Sequence, residues 1–253
     1  MKFPFLKNRG QAGAKIEVFV RYCYYSNASA HKGRFEGFSH EKCFDNLMQT
    51  ADFDRVGCTF LLDTHFAKSK PHFVRKQTKF PVIEIDAGEE AKSFLALLDH
   101  VMDRQFSDDT ILYFLEDDYL HKEGWVDVLL EGFSIREANY VTLFDHRDKY
   151  FHEMYANLES RLFHTSTCHW RTTPSTTNTY AMRVKTLRQD IDIHRKFSKD
   201  QKITRDHEKF LALKEQGRTL ISSIPGWATH AEPDFASPCF DWTRILSEES
   251  LQL

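Results

Sequence analysis

The chain has 253 residues, 41% hydrophobic and 28% charged, with a formal net charge of −3. A chain of that length buries a substantial core, and its balance excludes wholesale disorder and a general nucleic-acid binder, which would be basic. Five scattered cysteines (Cys23, Cys43, Cys58, Cys168 and Cys239) with no C-x-x-C pair exclude a disulfide framework or zinc knuckle and point to reduced thiols in a cytoplasmic protein.

The first dozen residues read as a loose arm. The apolar patch within Met1–Leu6, broken by Pro4, is too short for a signal-peptide core, and no later run approaches the ~20 apolar residues of a membrane span. A soluble protein is expected, with peripheral membrane contact its closest approach to a bilayer. Ile16–Tyr22 is a β-branched and aromatic run that predicts a strand. A polar loop follows to Gly37, and Ser39 is placed to N-cap a helix over 41–50. Val56–Leu62 and Pro81–Ile85 predict two more strands, ended by Asp63 and Asp86. The basic stretch between them, with Lys68, Lys70, Arg75, Lys76 and Lys79, reads first as a solvated loop.

Ala91, Phe94, Leu95, Leu98, Val101 and Met102 recur at helical spacing. Ile111–Leu115 is a continuous apolar run bounded by acids, the pattern of a central strand buried on both faces. A helix carrying Trp125, Val128, Leu129 and Phe133 follows, then a strand over 140–144 ended by Asp145 and His146. Strands and helices alternate through 15–150, which predicts an α/β fold with a mainly parallel sheet covered on both faces. From 151 to 253 the pattern is less regular: two strands between Thr165 and Val184, a helix over 206–215 stopped by Gly217, a last strand over 219–224, and a surface tail from Pro225. One domain is expected, with a ligand-binding half over 15–150 and a second half over 151–253.

Acids follow the predicted strands: Asp63, Asp86, Glu116-Asp117-Asp118 and Asp145. In open α/β sheets, ligands bind beyond the carboxyl ends of the strands. A single strand-end Asp is commonly a turn or cap residue. Three consecutive carboxylates repel one another unless a cation offsets them, and Mg²⁺ or Mn²⁺ suits such oxygen ligands together with substrate phosphates.

The stretch Tyr113-Phe114-Leu115-Glu116-Asp117-Asp118-Tyr119 resembles the DXD region of GT-A-fold glycosyltransferases, in an E-D-D form. The helix beginning near Gly88 resembles the one those enzymes place ahead of that strand. The resemblance implies a Rossmann-like single-domain fold and transfer of a sugar from a nucleotide-diphosphate sugar to a carbohydrate or glycoconjugate acceptor, in glycan or polysaccharide assembly. It implies Asp118 as metal ligand and Glu116 as donor contact, with Asp117 between them. It also implies a general base in Asp206 or Glu208 at the start of a later helix, for an inverting reaction, and His230 as a further metal ligand. Tyr22, Tyr24 and Asp63, near the ends of the first strands, are candidates for nucleobase or ribose contacts. Arg21, or a lysine of the 68–79 loop, is a candidate for phosphate. The aromatic-Gly-Gly segment common in that family is absent; 164–179, with Cys168, His169, Trp170 and Arg171, stands in its place. Two other readings use the same acids: a metal-dependent phosphoester or nucleotidyl-transfer enzyme with a second cluster at Asp145-His146-Arg147-Asp148, and a sugar-nucleotide-binding module without turnover.

Overall fold

A computed structural model describes residues 16–67 and 70–247. The expected N-terminal arm and Lys68 lie outside them. In chain order the elements are β1 (Ile16–Cys23), α1 (His40–Thr50), β2 (Val56–Asp63), β3 (Val82–Ile85), α2 (Glu90–Met102), β4 (Ile111–Glu116), β5 (Tyr119–His121), α3 (Trp125–Gly132) and β6 (Tyr140–Thr142). There follow α4 (Asp148–Phe151), β7 (Leu162–His164), β8 (His169–Thr172), β9 (Tyr180–Arg183), α5 (Val184–Lys196), α6 (Asp206–Glu215), β10 (Leu220–Ile224), β11 (Ala228–His230) and α7 (Thr243–Leu246).

Nine strands form one sheet in the order β3-β2-β1-β4-β9-β6-β10-β8-β7. β3, β2, β1 and β4 are parallel neighbours, as are β6 and β10; β9 and β8 run against the rest. The sheet is thus mainly parallel, as expected. Strand alternation divides its core in two. Ile16, Val18, Val20 and Tyr22 of β1 pack with Leu47 of α1 and Trp125 and Leu129 of α3. Phe19, Leu112 and Phe114 pack on the other face with Phe94 and Leu98 of α2, Leu187 of α5 and Phe210 of α6. Arg21 shares the parity of Phe19, so its side chain goes to the α2 face. Ser39 caps α1 as expected, its hydroxyl accepting from the Lys42 amide, and Gly217 sits at φ +78° just past α6.

The two strands expected between Thr165 and Val184 exist as β8, between β10 and β7, and β9, between β4 and β6. Two expectations are corrected. The 140–144 strand ends at Thr142. The surface tail is buried at its start, because Ala228–His230 forms β11 and pairs antiparallel with β5 in a separate two-stranded ribbon. No helix among the described residues is long and apolar enough to cross a membrane, and the five cysteines are unpaired.

Candidate active site

The ribbon assembles the acidic end of the site. β5 begins directly after Asp118, and its register sets His230 opposite Tyr119. The Ala231 amide donates to the Asp118 carbonyl at 2.8 Å. Asp118 and His230, 112 positions apart, meet as Nε2 to Oδ2 at 2.8 Å. The second ring nitrogen, Nδ1, lies 3.3 Å from the Glu232 carboxylate. Asp118 is 4% exposed, and its Oδ1 is buried without a hydrogen-bond partner among the described residues.

This donor set fits a divalent cation. If Nδ1–H is given to Glu232, a neutral ring turns its Nε2 lone pair toward Asp118 Oδ2. Two lone pairs meet at 2.8 Å only with a cation between them. Burial works against a charged ring, but Asp118 outweighs it and raises His230 to about 9, so a proton fills that role in the ligand-free protein. Burial also opposes ionisation of Asp118, yet His230 and Arg34 hold it well below the usual carboxylate range. A carboxylate behind the outer nitrogen of a ligating imidazole is the usual support of a metal-binding histidine. Among the described residues no three or more His, Cys, Asp and Glu side chains form a cage. Asp118 and His230 would therefore share the ion with water and substrate oxygens, as Mg²⁺ and Mn²⁺ sites commonly do.

Residues that the sequence did not single out complete this corner. Arg34, in the loop between β1 and α1, donates from Nη2 to Asp118 Oδ2 at 2.8 Å. Lys32 lies 3.6 Å from Glu232. His40, the first residue of α1, sits 3.4 Å from the Asp117 carboxylate, which overcomes burial and raises the ring to about 9. Asp117 thus turns away from the Asp118–His230 pair, toward α1.

Glu116 faces the α2 side and begins a buried polar chain. Burial, partly offset by Arg21, pushes Glu116 up to about 7. Arg21 reaches Glu116 at 3.4 Å and Glu90 at 2.8 Å. Glu90, in the first turn of α2, also accepts from Asn178 Nδ2 at 2.9 Å and from the Thr204 amide at 2.7 Å. Asn178 Oδ1 accepts from Lys209 Nζ at 2.6 Å, and Lys209 donates to Asp206 Oδ1 at 2.8 Å. The two candidate bases separate here. Asp206 is 24% exposed and tied to this chain, whereas Glu208 points to solvent. Burial, partly offset by Lys209, pushes Asp206 up to about 6.

Beside Asp206 lies a cavity of about 240 Å³ lined by His146, Lys149, Tyr155, the 175–177 turn and His207 among others. His207 Nδ1 is 3.2 Å from the Ser175 hydroxyl, and Tyr119 links the acidic strand to the same turn through Thr177 at 2.6 Å. The cavity is bordered by this turn rather than by Cys168–Arg171. There Trp170 is core and Arg171 pairs with Asp145 at 2.8 Å.

The first-strand candidates are dispersed. Tyr22 is 2% exposed, ringed by Phe44, Phe60, His72 and Phe73, and belongs to the core. Asp63 spends both oxygens on the amides of His65, Ala87 and Gly88 and so closes its own turn. Tyr24 is half-buried and donates to the Lys70 carbonyl. In the basic loop, Arg75 pairs with Glu84 at 2.8 Å and Lys79 lies 3.9 Å over the Phe53 ring. The second acidic cluster is spent internally. Asp145 holds Arg171 and Tyr150, and Asp148 holds His146 and Lys149.

No protein-family model matches the chain, and neither does any curated protein. Solved structures align with it at low identity. S. aureus TarS 1-349 aligns over 82% of this chain at 10% identity and TM-score 0.45, and this chain spans 57% of that one. The same protein in complex with UDP-GlcNAc aligns over 82% of this chain and 55% of its own, at 12% identity and TM-score 0.49. A nucleotidyl transferase from Methanothermobacter thermautotroptrophicus aligns over 83% of this chain and 88% of its own, at 11% identity and TM-score 0.43.

Proposed function

We propose that the protein is a metal-dependent glycosyltransferase that moves a sugar from a nucleotide-diphosphate donor to an acceptor hydroxyl with inversion. The observation that carries this reading is the Asp118–His230 pair, backed by Glu232 and retaining an unpartnered buried oxygen. A Mn²⁺ or Mg²⁺ ion held by Asp118 and His230 would offset the charge that grows on a departing nucleoside diphosphate. Glu116, at the same strand end, faces the donor's ribose or sugar. The acceptor enters the cavity beside Asp206. The Asp206 carboxylate takes the proton of the attacking hydroxyl. The new bond forms between that oxygen and the anomeric carbon as the bond from that carbon to the phosphate oxygen breaks, its electron pair leaving with the diphosphate. Lys209 and Asn178 hold the Asp206 carboxylate in place, and His207 with Ser175 borders the acceptor. The internal pairing of Asp145 and Asp148 weighs against a two-metal phosphoester site.

The test is a thermal-shift panel of sugar nucleotides with and without Mn²⁺, on the wild-type chain and Asp118→Ala. A ligand that binds only the folded state raises its melting temperature. One nucleotide class should stabilise the wild type in the presence of metal and fail to stabilise Asp118→Ala. A rise with Mn²⁺ but with no sugar nucleotide would sink the transferase reading and leave a metal site serving other chemistry.

A further inference from the structure

Arg34 meets Asp118 in an incomplete way. A guanidinium facing a carboxylate ordinarily closes a fork of two parallel hydrogen bonds. Here Nη2 alone donates, and it does so to Oδ2, the oxygen that His230 also reaches. The two atoms that would close the fork, Arg34 Nη1 and Asp118 Oδ1, are both buried and both lack a partner among the described residues. A buried donor and a buried acceptor are thus left open on two residues already in contact. The donor seeks an anion and the acceptor a cation. A metal–diphosphate complex would supply both at once, positive charge for the Asp118 carboxylate and a phosphate oxygen for Nη1. The surroundings permit a change of partner. The guanidinium rests 4.7 Å over the Phe38 ring and carries no other ion pair among the described residues, and its neighbour Gly33 has open space around the position a side chain would take.

We propose that Arg34 is the counter-ion of Asp118 in the ligand-free protein, competes with the divalent cation for that carboxylate, and passes its guanidinium to the donor's diphosphate when the cation binds. The proposal rests on the reading of Asp118 and His230 as metal ligands. It assigns to the loop between β1 and α1 a phosphate contact that the sequence reading sought in Arg21 and the 68–79 lysines.

The two roles predict effects of opposite sign from one substitution. Removing the charge frees Asp118 for metal but deprives the diphosphate of a donor. The experiment uses the full chain as wild type, Arg34→Gln, Arg34→Lys and Asp118→Asn. Calorimetry gives the affinity for Mn²⁺ alone, and then for inorganic pyrophosphate at saturating Mn²⁺. Arg34→Gln should bind Mn²⁺ several-fold more tightly and pyrophosphate about tenfold more weakly, in line with loss of a charged hydrogen bond. Arg34→Lys keeps the charge without the fork. It should retain the wild-type Mn²⁺ affinity and recover only part of the pyrophosphate affinity, and it answers the phosphate arm if Arg34→Gln does not fold. Unchanged or weaker Mn²⁺ binding by Arg34→Gln, or pyrophosphate binding indifferent to residue 34, overturns the proposal. Asp118→Asn separates the two ideas: if it binds Mn²⁺ as the wild type does, the metal reading itself fails, whatever Arg34 does.

Discussion

At the scale of single residues, the sharpest distinction lies between two acids two positions apart. Asp206 is held by Lys209 beside the cavity, and Glu208 faces solvent. Asp206→Asn should abolish turnover while leaving donor binding intact, and Glu208→Gln should keep most of the activity; equal losses in both variants would remove Asp206 from the base role. The pH dependence follows from the groups around Asp206. Burial raises it, Lys209 and Arg21 oppose the rise, Glu90 adds to it, and the balance stands at about 6. A base must be ionised, so the rate should fall as pH drops through about 6. Lys209→Met removes the nearest cation, which favours the protonated acid, so the acidic limb should move to higher pH and the lost rate should partly return in alkaline buffer. A merely structural lysine would lower the rate without moving the limb. Asp206 became a candidate only through the resemblance to GT-A-fold enzymes, because an acid in the first turn of a helix is ordinarily a cap. Lys209 was not, since a lysine on a helix ordinarily marks the solvent face and only the fold reveals that this one is buried among Phe94, Tyr180 and Phe210.

At the scale of elements, the sequence was readable where periodicity was long and apolar. β1, β2, β4 and α2 carry such patterns and formed close to their expected limits, while α6, which has no such period, was marked by its stop at Gly217. α5 went unseen because its buried stripe of Val184, Leu187 and His194 is narrow and is interrupted by charges. The ribbon of β5 and β11 went unseen because three-residue strands leave no period to read. Yet that ribbon brings His230 to Asp118, so the position of His230 rests on pairing that no local pattern announces. Ser237 fastens it. Its hydroxyl donates to the Ala228 carbonyl at 2.9 Å and accepts from the Asp145 amide at 3.1 Å, in a buried setting. Ser237→Ala leaves that amide without a partner. It should cost about 1–3 kcal/mol, read as a lower urea midpoint at unchanged slope. A loss under half of the lower figure would mean that the ribbon holds its register without Ser237.

At the scale of the molecule, the two halves expected from the sequence are joined by charge as well as by the sheet. The chain from Glu116 through Arg21, Glu90, Asn178 and Lys209 to Asp206 links β4, β1, α2, the segment before β9, and α6. It is central to this arrangement that Arg21 lies in β1 on the face opposite Tyr22, for strand parity sends its guanidinium toward α2. One buried cation there serves two half-buried acids, and breaking such a group is costlier than never having built it. Arg21→Met should therefore destabilise the protein by about 3–5 kcal/mol, a large part of the total stability of an ordinary domain. Glu90→Gln in the same background removes one of the stranded charges and should recover part of the loss. A double-mutant cycle on these two positions should thus give a coupling between about 0.5 and 3 kcal/mol, as residues of one network do. Strict additivity would mean that each residue is held by its own packing, and that Glu116 at one end of the chain and Asp206 at the other are positioned independently of one another.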